Sequence, residues 1–186
     1  MRVIAGSAKG ARLRSPTTGT RPMMDRMKES LFSALGEFED VRVLDLYAGS
    51  GSLGLEALSR GASFAVFVEN AREAILKLEQ NLEATGLGGK AEVSWIDAKS
   101  LLQNIPDERY DLIFLDPPYN MPAAAVRADC ELIVMHGYLS DTGKVIVHRP
   151  AKESTLEPLG LQAIWEREFG QSRLYVFTHE DEDADA

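Results

Sequence analysis

Four consecutive residues, Asp116, Pro117, Pro118 and Tyr119, set a carboxylate, two stiff backbone carbonyls and an aromatic ring directly after the apolar run 112–115. That run is rich in strand formers, as in a strand buried on both faces of a sheet. Pro117 and Pro118 fix φ and donate no N–H, so the chain must leave the run extended and rigid. The carboxyl end of such a strand is where open α/β sheets place ligands. Taken alone, the quartet is also compatible with a plain strand-ending turn, its Asp bonding nearby backbone and its Tyr covering the sheet edge. The rest of the chain has to decide.

A second candidate site lies upstream. Gly49, Gly51 and Gly54 have the spacing of a dinucleotide-binding loop between a strand and a helix, and Glu69 follows at a strand end about 20 residues on. By itself this loop suits NAD(P) or another adenosine cofactor. Asp45 discriminates, because a carboxylate at the mouth of the loop repels a pyrophosphate and attracts a cation. S-adenosylmethionine carries an ammonium and a sulfonium and no phosphate. Glu69 can then accept the two ribose hydroxyls, and Asp97, at the end of a third strand, can reach the adenine amino group. N-capping or surface placement explains any one of these acids but not all three at successive strand ends. The expected cofactor-contacting residues are Asp45, Tyr47, Ala48, Gly49, Ser50, Gly51, Gly54, Glu69, Asn70, Asp97 and Ala98.

These residues need a scaffold, and 186 residues suffice for one domain. With 45% hydrophobic and 26% charged residues the composition is that of a soluble globular protein. No apolar run reaches the roughly 18 residues of a membrane span, and the first residues do not open a signal peptide. One cysteine, Cys130, excludes an internal disulfide and a multi-thiolate metal site, and its apolar helical setting suits a packed core thiol. The three histidines, His136, His148 and His179, show no ligand spacing. A cytosolic, metal-free monomer is expected. The net charge is −9, yet residues 1–30 sum to +5 and the remainder to −14. A basic arm on an acidic body suggests local contact with a polyanion.

In order, residues 2–6 and 11–14 read as a small hairpin around Lys9 and Gly10, followed by a Pro/Thr/Gly-rich loop to Pro22. Met27, Leu31, Ala34, Leu35 and Phe38 give a helix one apolar face. Strands are expected at 41–46, 64–68, 91–96, 112–115 and 143–148. Helices should lie at 53–60, around 75–82, from Asp97 to Pro106, and at 123–136. Residues 161–169 and 173–178 could pair as an antiparallel hairpin about Gly170. Alternating strands and helices imply βαβ units and a mostly parallel sheet. The domain division reads as a basic arm at 1–22, an α/β domain at 23–179 and a disordered acidic tail at 180–186.

The chain resembles the class I methyltransferases, and more narrowly the RsmD-type 16S rRNA guanine-N2 methyltransferases. The resemblance rests on residues 2–6 with Lys9-Gly10, on Arg21-Pro22 through Phe32, on 44–62, on Val68-Glu69 and Asn81-Leu82, and on 114–119. It covers residues 1–179, and the N-terminal pieces are its most family-specific part. Three positions depart from the family pattern: Met23, His148-Arg149 in place of an acid at the fifth strand's end, and Phe169-Gly170. The resemblance implies a Rossmann-like, seven-stranded, mostly parallel sheet with helices on both faces, a C-terminal antiparallel hairpin and an N-terminal hairpin extension.

Exocyclic amino nitrogens are poor nucleophiles because their lone pair is delocalised into the ring. Acceptors on both N–H groups, here the Asp116 carboxylate and the Pro117 carbonyl, would free it for attack on the sulfonium methyl, with adenosylhomocysteine as coproduct. Tyr119 would stack on the base. Arg2, Lys9, Arg12, Arg14 and Arg21, with Arg26, are the candidate phosphate contacts to ribosomal RNA or an assembling small subunit. Rival readings are a DNA adenine-N6 or cytosine-N4 methyltransferase, for which the chain lacks a recognition domain, and a glutamine methyltransferase, where Asn usually replaces Asp. A nicotinamide oxidoreductase is opposed by Asp45, and a non-catalytic RNA-binding module leaves the acids unexplained.

Overall fold

The computed structural model describes residues 1–17 and 23–180. Arg21 of the basic arm and the tail beyond Glu180 lie outside them. Seven strands form one sheet: β1 (Arg42–Leu46), β2 (Phe64–Glu69), β3 (Ala91–Trp95), β4 (Tyr110–Leu115), β5 (Leu139–Pro150), β6 (Leu161–Phe169) and β7 (Ser172–His179). Their spatial order is β3-β2-β1-β4-β5-β7-β6. The first five run parallel, while β7 is antiparallel to both β5 and β6. Five α-helices accompany them: α1 (Asp25–Leu35), α2 (Ser52–Ser59), α3 (Arg72–Thr85), α4 (Ala98–Leu102) and α5 (Ala123–Met135). Among the described residues no helix is long and apolar enough to cross a membrane.

Period-two alternation splits the core into two layers. Val43, Phe67, Phe114, Ile146 and Leu174 face α1, α2 and α3, whereas Leu44, Val68, Leu115, Val147 and Tyr175 face α4 and α5. Both faces of the central strands are covered, which explains their continuous apolar runs. Cys130 packs in the second layer, where burial pushes its thiol up. α1 is shorter than its periodicity predicts: it stops at Leu35 because Gly36 takes a φ of 86°. Ala34 is exposed, and the buried face uses Phe32, which stacks on Phe38 and Phe114. β5 starts earlier than expected, at Leu139, with a register shift opposite residues 110–112.

The N-terminal hairpin is reduced to one antiparallel bridge, Arg2 to Arg12. A buried carboxylate limits it. Glu56 on α2 accepts hydrogen bonds from the Ile4 and Ala5 N–H groups at 2.9 and 3.0 Å, so these amides are not available for pairing. The same carboxylate meets Lys28 Nζ at 3.0 Å and Arg60 Nε at 3.0 Å. Lys28, itself fully buried, also donates to the Arg2 carbonyl and Ser52 Oγ. Burial alone would raise the Glu56 carboxyl, but Lys28 and the Ile4 N–H outweigh it and hold it below its ordinary value. Burial lowers Lys28, with Glu56 opposing. Gly6 sits against the end of α2, where a Cβ would lie 1.8 Å from the Ser59 carbonyl oxygen.

Removing one partner of a buried pair strands the other, so Glu56→Ala should destabilise the protein by about 3–5 kcal/mol in chemical denaturation. Native-state hydrogen exchange should also lose protection at Ile4 and Ala5. The depressed Glu56 carboxyl contributes stability that is present above the ordinary glutamate range and lost as pH falls through its lowered value. The wild type should therefore lose more stability on acidification than the variant does.

Candidate active site at the carboxyl edge of the sheet

The chain turns right from β1 to β2 and β3, and left from β1 to β4 and β5, so a crevice opens between the carboxyl ends of β1 and β4. A cavity of about 640 Å³ occupies it. Its walls carry Tyr47 and Gly49 after β1, Glu69 and Asn70 at the end of β2, Asp97 after β3, and Asp116 to Tyr119 after β4. A smaller recess alongside shares Tyr47, Gly49 and Asp116 and adds Asp45, Ala48 and Ser50, with Met1 and Ser15 from the arm and Met23 just before α1. The two halves foreseen from sequence thus share one space.

Each acid is held differently. Asp45 is 1% exposed and, among the described residues, accepts one hydrogen bond, from the Gly54 N–H at 2.9 Å. Burial, with Asp116 and Glu69 adding like charge, drives its carboxyl well above the ordinary range. Gly54 permits this approach: a Cβ there would lie 2.4 Å from the Phe67 ring. Glu69 ties down the turn, accepting from the N–H groups of Gly49, Asn70 and Ala71. Asp97 caps α4 through the Ser100 N–H at 3.1 Å and receives the Asn70 amide at 3.4 Å. Ala98 is buried at the start of α4. Gly51 adopts a φ of 80° at the N-terminus of α2, where a Cβ would lie 2.3 Å from Leu78 Cδ1.

Several contacts around the site escaped the sequence. Tyr47 has a φ of 58°, a left-handed conformation costly for a non-glycine residue, by about 1–3 kcal/mol. Its hydroxyl donates to Asp129 on α5 at 2.5 Å, and burial with that bond pushes the phenol up. Asn81, fully buried on α3, accepts from the Arg14 N–H and donates to the carbonyls of Arg14 and Ser50. The arm and the glycine loop are thereby stapled to one side chain. Arg149, on β5, donates to the Met121 carbonyl at 2.6 Å and pairs with Glu153. Among the described residues its Nη1 is buried without a partner. These contacts span distant segments and have no local signature.

The quartet itself is rigid. The Met121 N–H donates to the Pro118 carbonyl at 2.9 Å, while the Pro117 carbonyl has no intramolecular donor among the described residues. Asp116 Oδ1 is bonded by His148 Nδ1 at 2.8 Å, and Tyr119 reaches His148 Nε2 at 3.1 Å and Ser172 Oγ at 2.7 Å. The basic residues fall elsewhere. Met1, Val3, Ala11 and Leu13 turn toward the core, leaving Arg2, Lys9, Arg12 and Arg14 exposed, with Arg26 exposed on α1. Arg2 pairs with Asp25 and Arg14 touches Gln80, while Lys9, Arg12 and Arg26 make no ion pair among the described residues.

This strand order, with its antiparallel seventh strand inserted before the edge, and this ring of acids beside a glycine turn define a class I methyltransferase. The solved structure of the putative methyltransferase yhhF from Escherichia coli has a TM-score of 0.86 and 31% identity, covering 97% of this chain and 98% of that one. The putative rRNA methyltransferase YlbH of Bacillus subtilis is 38% identical over 164 residues, 86% of this chain and 88% of that protein. Ribosomal RNA small subunit methyltransferase D of Escherichia coli K12 is 36% identical over 149 residues, 79% of this chain and 73% of that protein. A family model described as Conserved hypothetical protein 95 matches residues 1–178, and the chain belongs to this family, the RsmD-type methyltransferases.

The class implies S-adenosylmethionine, and the site fits it chemically. Among the described residues Asp45 is a buried carboxylate with a single donor, a deficit that a cationic group would relieve. Because the folded state holds the Asp45 proton to higher pH than the unfolded chain does, stability falls as pH rises from the ordinary aspartate range through the raised value. Asp45→Asn should remove that loss and leave the thermal midpoint at neutral pH at or above that of the wild type. The same variant should weaken adenosylmethionine binding in calorimetry at least about tenfold. A lowered midpoint with unchanged binding would contradict both expectations.

Proposed function

We propose that the protein transfers a methyl group from S-adenosylmethionine to the exocyclic N2 amino group of a guanine in small-subunit ribosomal RNA, acting as a monomer in the cytoplasm. One observation carries the chemistry: an acceptor carboxylate, Asp116, and a carbonyl without a donor among the described residues, Pro117, border the same cavity as Glu69 and Asp97, and Asp116 also borders the adjoining recess that holds Asp45. The choice of RNA rests on the names of the relatives, ribosomal RNA small subunit methyltransferase D among them. Guanine N2 rests on the likeness of the residues quoted above to that family.

Bound adenosylmethionine supplies an electrophilic methyl on a sulfonium and leaves as adenosylhomocysteine. The chain's own residues prepare the acceptor. Asp116 Oδ2 and the Pro117 carbonyl take the two amino N–H groups, drawing the nitrogen toward tetrahedral geometry and directing its lone pair. As the N–C bond forms the nitrogen sheds one proton, for which Asp116 is the adjacent acceptor. Tyr119 stacks on the base, contributing about 1–3 kcal/mol. Pro117 is buried and stiff, so the acceptor carbonyl is fixed in advance. Guanine N2 is engaged in a paired stem, so the target lies in a loop or is flipped out. The outward face of the arm, with Lys9, Arg12 and Arg14, holds the flanking phosphates beside the cavity that Pro16 borders.

Asp116→Ala should lower the transfer rate by at least about 10²–10⁴-fold while adenosylmethionine affinity stays within about twofold. Loss of both would move Asp116 from the acceptor side to the cofactor side. Nucleoside mass spectrometry of ribosomal RNA from a deletion strain should show less N2-methylguanosine, and an unchanged level would refute the assignment. Replacing Lys9, Arg12 and Arg14 together by Gln should flatten the salt dependence of RNA binding, reducing the log–log slope by about 2. An unchanged slope would remove the arm from the interface.

A further inference from the structure

Resting on that reading, we infer that His148 is a positioning residue that locks the carboxylate and the aromatic ring of the acceptor quartet in one arrangement. The sheet register brings it there. Leu115 is paired with Val147, so the residues that follow each, Asp116 and His148, emerge side by side at the carboxyl edge. The His148 side chain is 3% exposed. Its ring spans the two halves of the quartet: Nδ1 lies 2.8 Å from Asp116 Oδ1 and Nε2 lies 3.1 Å from the Tyr119 hydroxyl. The Tyr119 ring stands edge-on to it, at 72° and 5.5 Å between centroids. Ser172, buried on β7, closes the chain at 2.7 Å from the same hydroxyl.

A carboxylate oxygen only accepts, so Nδ1 must carry the proton that binds Asp116. In the neutral ring Nε2 then accepts from the Tyr119 O–H, and the Tyr119 oxygen accepts from the Ser172 O–H. Every group in the chain is satisfied by this assignment. Its consequence for the acceptor site is specific. Oδ1 is occupied, the carboxyl plane is fixed, and Oδ2 is the oxygen left for an incoming amino group. The ring that would stack on the base is held by its far end from β5 and β7, two strands outside the quartet. Arg149, the next residue, holds the Met121 carbonyl, so the end of β5 grips the quartet's loop at two points.

The test compares His148→Ala, His148→Asn and His148→Gln, each checked for folding by near-UV circular dichroism and for adenosylmethionine affinity by calorimetry. The Asn amide falls near the Nδ1 position and the Gln amide near Nε2. We expect His148→Ala to lose about 10²-fold in kcat with cofactor affinity unchanged. The Asn variant should recover kcat through Asp116, and the Gln variant should recover the RNA KM through Tyr119 without recovering kcat. Wild-type kinetics in the Ala variant, or equal loss in all three, would overturn the proposal. If the Ala variant does not fold, the Asn and Gln variants still carry the contrast. Nitrogen NMR of 15N-histidine protein is independent of any RNA substrate. It should show a proton on Nδ1 of His148, with an Nε2 shift that moves in Tyr119→Phe, and an Nδ1 without a proton would overturn the proposal. If that signature holds while the wild type methylates no ribosomal RNA, the proposed substrate fails and the positioning role stands.

Discussion

Glu56 is taken wholly out of water on α2, and it remains ionised because four donors converge on it from three separate segments. Lys28 brings α1, Ile4 and Ala5 bring the arm, and Arg60 closes the end of the helix. Each of the three Nζ hydrogens of Lys28 has an acceptor in turn, in Glu56, the Arg2 carbonyl and Ser52. A pair this deep is tolerable only when its geometry leaves nothing unsatisfied. The arm, too short for a core of its own, is therefore ordered by a charge that the main domain buries. Where α2 begins is fixed by the same contacts, and with it the glycine turn that precedes the helix.

Asp45 lies on the adjacent strand and is buried as thoroughly, yet among the described residues it receives one N–H. The contrast separates a saturated carboxylate from the one proposed to face the cofactor. Glu56 is saturated and its carboxyl is depressed, whereas Asp45 is under-supplied and its carboxyl is raised. A fold that leaves such a group short of partners has a reason in what binds there. The two are joined through α2, whose Gly54 supplies the one donor to Asp45 and whose Glu56 anchors the arm.

The arm is also coupled to the site by Asn81, which bonds the Arg14 backbone and the Ser50 carbonyl at once. The outer face of the arm, proposed to meet phosphates, and the glycine turn, proposed to meet the cofactor, thus share one support. On the opposite side of the crevice, β5 and β7 do the equivalent work for the quartet through His148 and Ser172. Each half of the site is held from behind by side chains on other segments.

Much of this was legible in the sequence because it is local. The five parallel strands show as apolar runs, the turn shows as Gly49-x-Gly51-x-x-Gly54, and the quartet shows as a carboxylate and two prolines where a strand must end. What the sequence could not disclose is whatever depends on register and on side chains meeting across the fold. His148 was visible only as an unexpected residue at the end of a strand, and its meaning came from the pairing of Leu115 with Val147. Nothing in the periodicity of α2 marks Glu56 as the anchor of an arm more than 50 residues earlier in the chain. Tyr47 and Asp129, 82 residues apart, meet only because α5 packs over the end of β1. Composition and spacing determine which elements form and which residue types stand at their ends. The partners of a buried polar group are decided by the tertiary structure alone, since each must be found in space and not along the chain.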